Sequence, residues 1–268
     1  MEFYTEGNIF RNDNWYLVLK YSLKYKEEKI EKISFNFENA IDYTKVNNIY
    51  IIINESYPNF KDKNLKNILL NYLVQDLKNT KIEKYKSNWS KNYSTQGAEL
   101  NLFCANENLF KDFQELDLLK FINKHNCWIK KFENKKKIFI HSYEEEMFNR
   151  GRYKSFFDET YFLNSLKAYN LKTCNGIMEG ICDQEVLDKI FPKIKKYKES
   201  KLTIFLTLNN HVPLIVLKDR SECSQYPLNQ HDQFCSLYNN QTILNKSINS
   251  FLKTLDKNDI LIFFSDTP

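Results

Sequence analysis

The sequence predicts an α/β fold in which helices sandwich a mixed, largely parallel central sheet. Short apolar runs of strand length, apolar residues at helical spacing between them, and the alternation of the two along the chain all support this class. Strands are predicted at 49–53, 137–140, 202–208 and 260–264. Helices are predicted at 15–37, 65–77, 186–191 and 242–255.

Each predicted element follows from a local pattern. Residues 15–37 mix apolar positions with Lys and Glu, as a surface helix does. The run 49–53 (IYIII) is continuously apolar, which is typical of a strand buried on both faces. In 65–77 and 242–255 the apolar residues recur at helical spacing. The remaining strands are short apolar runs between such helical patterns.

Composition indicates one globular domain over residues 1–268. The chain has 42% hydrophobic residues, enough for a sizeable core, and neither an internal repeat nor a clear linker. Its net charge of +5 comes from scattered lysines without interleaved stacking aromatics, which argues against a nucleic-acid partner. No apolar run is long enough to span a membrane. A monomer is expected.

The six cysteines show no C-x-x-C spacing, which disfavours a metal-thiolate or redox site. Their even number in polar, loop-like contexts suggests disulfides and an oxidising compartment. The last four form two locally spaced pairs, Cys174 with Cys182 and Cys223 with Cys235, which we favour because short loops close easily. Six buried free thiols in a cytosolic protein is the alternative.

Ionisable residues follow three of the predicted strands. Glu55 follows 49–53, His211 follows 202–208, and Asp266 follows 260–264. Because the carboxyl ends of parallel strands meet at one edge of a sheet, these side chains are expected to converge there, where a divalent metal would offset the cost of half-buried carboxylates. Alternatively, each residue simply ends its strand at the solvent edge.

The segment 92–103 reads as a polar loop that runs into a helix. Glu99 lies near the start of that helix, where the helix dipole favours an anion. The ordinary role of Ser94 or Thr95 at such a place is an N-cap. A hydroxyl there is also suited to act as a nucleophile, because the free N–H groups of a first turn attract phosphate.

Five motifs occur in a characteristic order: NES (54–56), STQGAEL (94–100), FNR (148–150), TLNNHVP (207–213) and SD (265–266). Together they resemble the sulfatase-like branch of the alkaline phosphatase superfamily. More narrowly, they are similar to the extracytoplasmic catalytic domains of lipoteichoic acid synthases and of phosphoglycerol or phosphoethanolamine transferases. The resemblance extends from about residue 48 to the end of the sequence.

This resemblance implies roles for particular residues. Thr95 would be the nucleophile, and Glu55, Thr95 and Asp266 would bind one divalent ion, zinc or manganese. Arg150 would contact the substrate phosphate and His211 would lie near the transferred group. The implied substrate-binding residues are Phe148, Asn149 and Asn210. In the acidic turn CDQE, Asp183 is interpreted as a helix cap rather than a catalyst.

The sequence departs from the family pattern after the last strand. Relatives usually carry a metal-binding His directly after the Asp, but here Thr267 follows Asp266. His141 and His231 are candidate replacements, although each, like His125, is more simply interpreted as a structural or surface histidine. Asn245 stands where relatives often have Asp.

The implied activity is transfer of a phospholipid head group, phosphoethanolamine or phosphoglycerol, to a surface glycan or lipid-linked sugar through a phosphothreonine intermediate. The domain would lie on the outer face of the bacterial cytoplasmic membrane, with residues 1–45 as a membrane-proximal helical segment. Transmembrane helices upstream and a C-terminal end beyond Pro268 are expected in the parent protein. The alternatives are a phosphodiesterase or phosphatase, or a catalytically silent domain that binds glycan or lipid head groups. A sulfatase proper is disfavoured because no C/S-x-P-S/A-R motif surrounds Thr95.

Overall fold

The computed structural model describes residues 5–12, 45–55, 80–87, 95–104, 117–174, 178–211, 223–224 and 232–265. Its strands are β1 (Thr5–Asn12), β2 (Asn48–Asn54), β3 (Thr80–Ser87), β4 (Lys136–His141), β5 (Glu159–Tyr161), β6 (Thr173–Cys174), β7 (Gly180–Ile181), β8 (Lys201–Leu206) and β9 (Asp259–Ser265). Its α-helices are α1 (Thr95–Cys104), α2 (Leu118–Lys124), α3 (Leu163–Lys167), α4 (Asp183–Glu185), α5 (Phe191–Lys195) and α6 (Asp232–Leu252). A π-helical turn, Val186–Ile190, joins α4 to α5, and 3₁₀ segments occupy Trp128–Phe132 and Met147–Ser155.

A seven-stranded sheet forms the centre of the molecule, in the order β3-β1-β9-β2-β8-β4-β5. The five strands from β9 to β5 are mutually parallel. At the β9 edge, β1 and then β3 are added in antiparallel orientation. The sheet is thus mixed and largely parallel, which confirms the predicted fold class. A separate ribbon pairs β6 with β7.

Helical segments cover both faces of this sheet. Tyr50 of β2 packs its ring against Phe191 of α5 and Phe251 of α6, with ring centroids 5.9 and 4.9 Å apart. Phe139 of β4 is paired in register with the row of Ile51, one residue along from Tyr50, and therefore lies on the opposite face. There it packs against Tyr153, with ring centroids 4.7 Å apart. Burial on both faces explains the continuously apolar strand sequences.

Most predicted elements are confirmed within a few residues. The predicted strand 202–208 ends at Leu206, and Thr207 and Leu208 follow it without regular secondary structure. The last helix begins ten residues earlier than predicted, at Asp232, and ends at Leu252. The predicted helices 15–37 and 65–77 lie outside the described residues.

The prediction that residues 1–45 form a helical segment is wrong for residues 5–12. These residues form β1, which pairs with β9 on one side and β3 on the other. The edge of β9 supplies backbone hydrogen-bonding partners, and that long-range pairing outweighs the weak local signal of TEGNIFRN. No helix among the described residues combines the length and the hydrophobicity that a membrane crossing requires.

All six cysteines are paired in disulfides. The two local pairs, Cys174–Cys182 and Cys223–Cys235, are those favoured from the sequence. The third disulfide, Cys104–Cys127, joins the last residue of α1 to the residue before the first 3₁₀ segment. The alternative of free thiols is therefore wrong, and the pairing is typical of proteins that fold in an oxidising environment.

Candidate active site at the carboxyl edge of the sheet

The carboxyl ends of four parallel strands lie side by side, as predicted. Ile53 and His141 are both in register with Leu206, and Asn54 is in register with Ser265. The next residue of β2 is Glu55, while Asp266 directly follows Ser265 and lies outside the described residues. Ligands of open α/β sheets bind beyond this edge, so it is where a site is expected.

Glu55 is a buried carboxylate at the end of the central strand. It is 5% exposed, and its backbone N–H donates to Thr207 Oγ1 over 2.9 Å. Thr207 in turn donates its N–H to the Ile53 carbonyl over 2.9 Å, which fixes the exit of β8 against the exit of β2. The negative charge of Glu55 contributes to a raised Arg150 pKa, so the two groups lie in one electrostatic neighbourhood.

Arg150 is held by a charged cluster that we define as Glu99, His141, Arg150 and Tyr153. Its Nε and Nη2 donate to Glu99 Oε1 over 3.0 and 2.7 Å, and Tyr153 donates its hydroxyl hydrogen to Glu99 Oε2. Burial lowers the Arg150 pKa, but the attraction of Glu99 outweighs it and the net pKa is raised. Arg150 is only 1% exposed, and this ion pair fixes it to α1, the helix that begins at Thr95.

His141 completes the cluster as a neutral side chain. Its Nε2 lies 3.2 Å from Arg150 Nη1 and its Nδ1 lies 3.3 Å from the Leu206 carbonyl oxygen. Since a carbonyl only accepts and a guanidinium only donates, Nδ1 carries the hydrogen. Burial, and then the charge of Arg150, lower the His141 pKa well below its ordinary value. Both ring nitrogens are engaged, which agrees with a structural histidine and leaves neither nitrogen available to a metal in this conformation.

The chain before Arg150 is strained. Phe148 and Asn149 both have left-handed backbone conformations, with φ of 53° and 54°. Asn tolerates this region, whereas a residue as bulky as Phe rarely adopts it. The turn leaves Phe148 42% exposed, with its ring centroid 5.0 Å from the Arg150 guanidinium carbon. Strain of this kind concentrates at ligand sites.

A network of neutral amides begins at Asn54, the residue before Glu55; we call Asn54, Asn210, Gln241 and Asn245 the amide network. Asn210 donates to Gln241 Oε1 over 2.8 Å and to Asn54 Oδ1 over 3.2 Å. Gln241 donates to Asn245 Oδ1 over 2.7 Å. Within the described residues, the side-chain oxygen of buried Asn210 has no hydrogen-bond partner.

His211 lies at the end of a turn formed by residues 207–211, the His211 turn. It is half-buried, and its N–H donates to the Leu208 carbonyl over 2.9 Å. Asp183 bonds both the backbone of this turn and Ser142, the residue after His141, so the turn lies beside the end of β4. The structure therefore brings His211, Arg150 and Glu55 into one region.

Asp183 is not the helix cap that the sequence suggested. The N-cap of α4 is Cys182, which makes no side-chain capping bond. The Asp183 carboxylate instead accepts hydrogen bonds from the backbone N–H groups of Leu208 and Asn209 in the His211 turn. A carboxylate at the first position of a short helix reaches a neighbouring loop when that loop offers better-placed donors.

The predicted metal ligands are described only in part. Among the described residues, no group of three or more His, Cys, Asp and Glu side chains is placed to hold a metal ion. Asp266 and the side chain of Thr95 fall outside them, although Thr95 itself is the first residue of α1. The third, Glu55, is the buried carboxylate donor that a divalent cation requires. The donor set fits a cation bound by oxygen, and metal binding stays a prediction.

Sequence reasoning missed the amide network except for Asn210 and Asn245. Its signal was weak: Asn54 is a polar residue that ends an apolar strand, and Gln241 and Asn245 are spaced to share one helix face. His231 lies outside the described residues. His125 directly follows α2 as its C-cap, and its ring centroid lies 4.5 Å from that of Phe121, which agrees with a structural role.

No protein-family model matches the sequence, and no curated protein matches it. Several solved structures are similar in fold, LtaP and GacH among them. The lipoteichoic acid synthase LtaP from Listeria monocytogenes has a TM-score of 0.51 at 15% identity, over 83% of this chain and 57% of that one. Streptococcus pyogenes phosphoglycerol transferase GacH, in complex with sn-glycerol-1-phosphate, has a TM-score of 0.55 at 15% identity, over 83% of this chain and 62% of that one.

This chain thus spans about three fifths of the length of the two similar structures. At 15% identity the likeness concerns the fold, and their activities are not transferred by it. The described strands and the order of the sequence motifs agree with it. The chain therefore shares its fold with LtaP and GacH.

Proposed function

We propose that this domain transfers the phosphate-linked head group of a membrane phospholipid to a hydroxyl acceptor through a covalent intermediate on Thr95. The observation that carries the proposal is the convergence of Glu55, the charged cluster and the His211 turn at the carboxyl edge of the sheet. Glu55 N–H donates to Thr207 Oγ1 of the turn, and His141 contacts both Arg150 and the Leu206 carbonyl directly before the turn. The fold shared with LtaP and GacH supports the same reaction class.

In the first step, Thr95 Oγ1 forms a bond to phosphorus while the bond from phosphorus to the diacylglycerol oxygen breaks. The threonine proton ends on the departing diacylglycerol. Thr95 begins α1, so the free N–H groups of the first turn favour the negative phosphate. The product is a phosphodiester that joins Thr95 to the head group.

In the second step, the acceptor hydroxyl oxygen bonds to phosphorus and the bond from phosphorus to Thr95 breaks. The acceptor proton returns to the Thr95 oxygen. We assign His211 to these proton movements because it is half-buried at the site, whereas both nitrogens of His141 are engaged.

Arg150 supplies positive charge for the phosphate. Glu99 takes two of its N–H groups and thereby fixes the guanidinium relative to α1. Exposed Phe148 would pack against the substrate, with Asn149 beside it in the strained turn. The unpartnered oxygen of Asn210 is the acceptor in the amide network that a substrate hydroxyl or amine would use.

Glu55, Thr95 and Asp266 would hold a divalent cation, which supplies Lewis acidity at the phosphate and lowers the pKa of a bound hydroxyl. All three ligands provide oxygen. Oxygen ligands suit manganese better than zinc, so of the two predicted metals we favour manganese.

The proposed donor is phosphatidylglycerol or phosphatidylethanolamine, and the proposed acceptor is a surface glycan or lipid-linked sugar. The domain would then act as a monomer on the outer face of the cytoplasmic membrane, and transmembrane helices of the parent protein would attach it there. The three disulfides are compatible with that compartment.

The test is the release of diacylglycerol from short-chain phosphatidylglycerol or phosphatidylethanolamine in the presence of manganese or zinc. The wild type should release diacylglycerol, Thr95→Ala should not, and Thr95→Ser should retain part of the rate. The lipid that is consumed faster identifies the head group. Equal release by wild type and Thr95→Ala would overturn the proposal.

The fate of the head group separates transfer from hydrolysis. Free glycerol phosphate or phosphoethanolamine, formed equally fast with and without a glycan acceptor, would identify a phosphodiesterase. Saturable lipid binding with no release under any metal would identify the silent binding domain.

A further inference from the structure

Asp183 is a buried carboxylate that accepts hydrogen bonds from the His211 turn and from Ser142. It is 2% exposed. Leu208 N–H lies 2.9 and 3.0 Å from its two oxygens, and Asn209 N–H donates over 2.8 Å. Ser142, which directly follows β4, donates its hydroxyl hydrogen over 3.3 Å. Within the described residues, no Lys or Arg forms an ion pair with this carboxylate.

The contact is reciprocal. The backbone N–H of Asp183 donates to Asn209 Oδ1 over 2.7 Å, so Asn209 is bonded to Asp183 through both its backbone and its side chain. Paired bonds of this kind fix orientation as well as distance. Asp183 therefore holds the first half of the His211 turn in one conformation.

The opposite side of the turn is held by neutral groups. Asn240 of α6 donates to the Asn209 carbonyl over 2.7 Å, and Asn210 donates into the amide network. The turn thus lies between Asp183 and α6, and His211 immediately follows the clamped residues. Asp183 is the one charged side chain among these contacts.

The position of Asp183 is itself fixed by the backbone around it. The preceding residue, Cys182, is joined to Cys174 by a disulfide. Ile181 N–H donates to the Ser142 carbonyl over 2.9 Å. A Cβ atom on Gly180 would lie 2.6 Å from that same carbonyl oxygen and 2.2 Å from Leu208 Cδ2, so only glycine permits this approach. The ribbon before α4 is pressed against the turn.

We propose that Asp183 is a positioning residue for the transfer reaction: it anchors the His211 turn so that His211 is presented to the reacting groups. The inference rests on the catalytic role proposed for His211. Because Asp183 acts through the turn, its loss would displace the imidazole and leave exposed Phe148 and buried Arg150 in place. A displacement of about 1 Å costs roughly 100-fold in rate.

The experiment compares Asp183→Ala and Asp183→Asn with the wild type. Asn can still accept the two backbone N–H bonds through its one oxygen, whereas Ala accepts none. We expect kcat to fall about 10- to 100-fold in Asp183→Ala and less in Asp183→Asn, with KM for the lipid unchanged within about threefold. The matched control is Glu185→Gln, a carboxylate on the same short helix that pairs with Lys189 instead; its kcat should be unchanged.

Amide hydrogen exchange of residues 207–211 provides a second measurement that needs no activity. Exchange should be faster in Asp183→Asn and Asp183→Ala than in the wild type and Glu185→Gln. Unchanged exchange, or a fall in kcat matched by an equal rise in KM, would overturn the positioning role. If exchange accelerates in the variants but the wild type releases no diacylglycerol, Asp183 does anchor the His211 turn and the proposed function is wrong.

Discussion

The two ends of the central sheet both bury charged side chains, but they pair them differently. At the amino end, Lys201 donates to Asn48 Oδ1 over 3.0 Å, and Asn48 donates to Asp259 Oδ1 over 2.7 Å. These three residues begin β8, β2 and β9, so neighbouring strand starts satisfy one another. Lys135 similarly donates to the carbonyls of Val46 and Asn47.

At the carboxyl end, the polar groups come from separate segments of the chain. Glu99 belongs to α1, Arg150 to the strained 3₁₀ segment, Asp183 to α4 and Gln241 to α6. Arg150 lies beside exposed Phe148, and Asp183 binds the backbone of the turn that ends at half-buried His211. Burial of charge alone therefore does not identify a functional site in this protein. The distinguishing feature is buried charge that converges from distant segments beside accessible side chains.

The largest expected effect is on stability in Arg150→Met. The substitution leaves Glu99 buried without its cation, and breaking such a pair costs about 3–5 kcal/mol. Urea unfolding of the variant should show that loss. The double variant Arg150→Met with Glu99→Gln should recover part of it, because the uncompensated charge is then gone. A loss below about 1 kcal/mol would show that the pair does not join α1 to the rest of the edge.

Glu55→Gln should affect activity more than stability. The amide has nearly the shape of the carboxylate, so packing at this buried position is kept while the charge is lost. Diacylglycerol release should fall at least about 100-fold, because loss of an outer-shell partner of a metal ligand already costs 10- to 100-fold. A normal rate in a folded Glu55→Gln variant would exclude Glu55 from the site.

Lys201→Met is the matched change at the amino end of the sheet. It removes a lysine that is 1% exposed and leaves its acceptors, Asn48 Oδ1 and the Tyr197 carbonyl, without that donor. The free energy of unfolding should fall by about 1–3 kcal/mol. The rate of diacylglycerol release per folded molecule should not change. A rate loss comparable to that of Glu55→Gln would show that the amino end of the sheet also contributes to activity, which contradicts the comparison.

The last expected effect is a pH dependence that originates at Asp183. Burial raises its pKa from 3.8 to about 7, against the hydrogen bonds from Asn209, Leu208 and Ser142, which lower it. The Asp183 carboxylate therefore binds its proton more tightly in the folded state than in the unfolded state. Between these two pKa values the contribution of Asp183 to stability falls as pH rises, by up to about 1.4 kcal/mol per pH unit.

The measurement is the free energy of unfolding of the wild type minus that of Asp183→Asn, which cannot titrate. Taking the difference cancels the contributions of other carboxylates. It should decrease from pH 5 to pH 7 and become constant above about pH 8. A flat or rising difference across that window would contradict the pKa assignment.

Much of the fold could be predicted because most strands of the central sheet have a recognisable sequence pattern. Runs such as 49–53 and 260–264 are continuously apolar, and this is the pattern of parallel strands buried on both faces. β1 could not be predicted, because TEGNIFRN lacks that pattern and owes its conformation to pairing with β9 and β3. Local sequence does not encode such long-range pairing.

The location of the site at the carboxyl edge of the sheet was predictable, but the side-chain contacts within it were not. Their positions after strands identify Glu55 and His211 as candidate site residues, and the structure places them in one region. The partner of Arg150 was not predictable, since Glu99 is 51 residues away in the chain. The contacts of Asp183 were not predictable for a similar reason: its donors are Leu208 and Asn209, which only the folded chain brings near.

The most direct test of the central claim is the intact mass of the protein after incubation with manganese and short-chain phosphatidylglycerol or phosphatidylethanolamine. If the carboxyl edge is the active site, the wild type gains the mass of one head-group phosphate, Lys201→Met gains it too, and Thr95→Ala gains none. An adduct that persists in Thr95→Ala, or diacylglycerol release by the wild type with no adduct at any time point, would contradict the account.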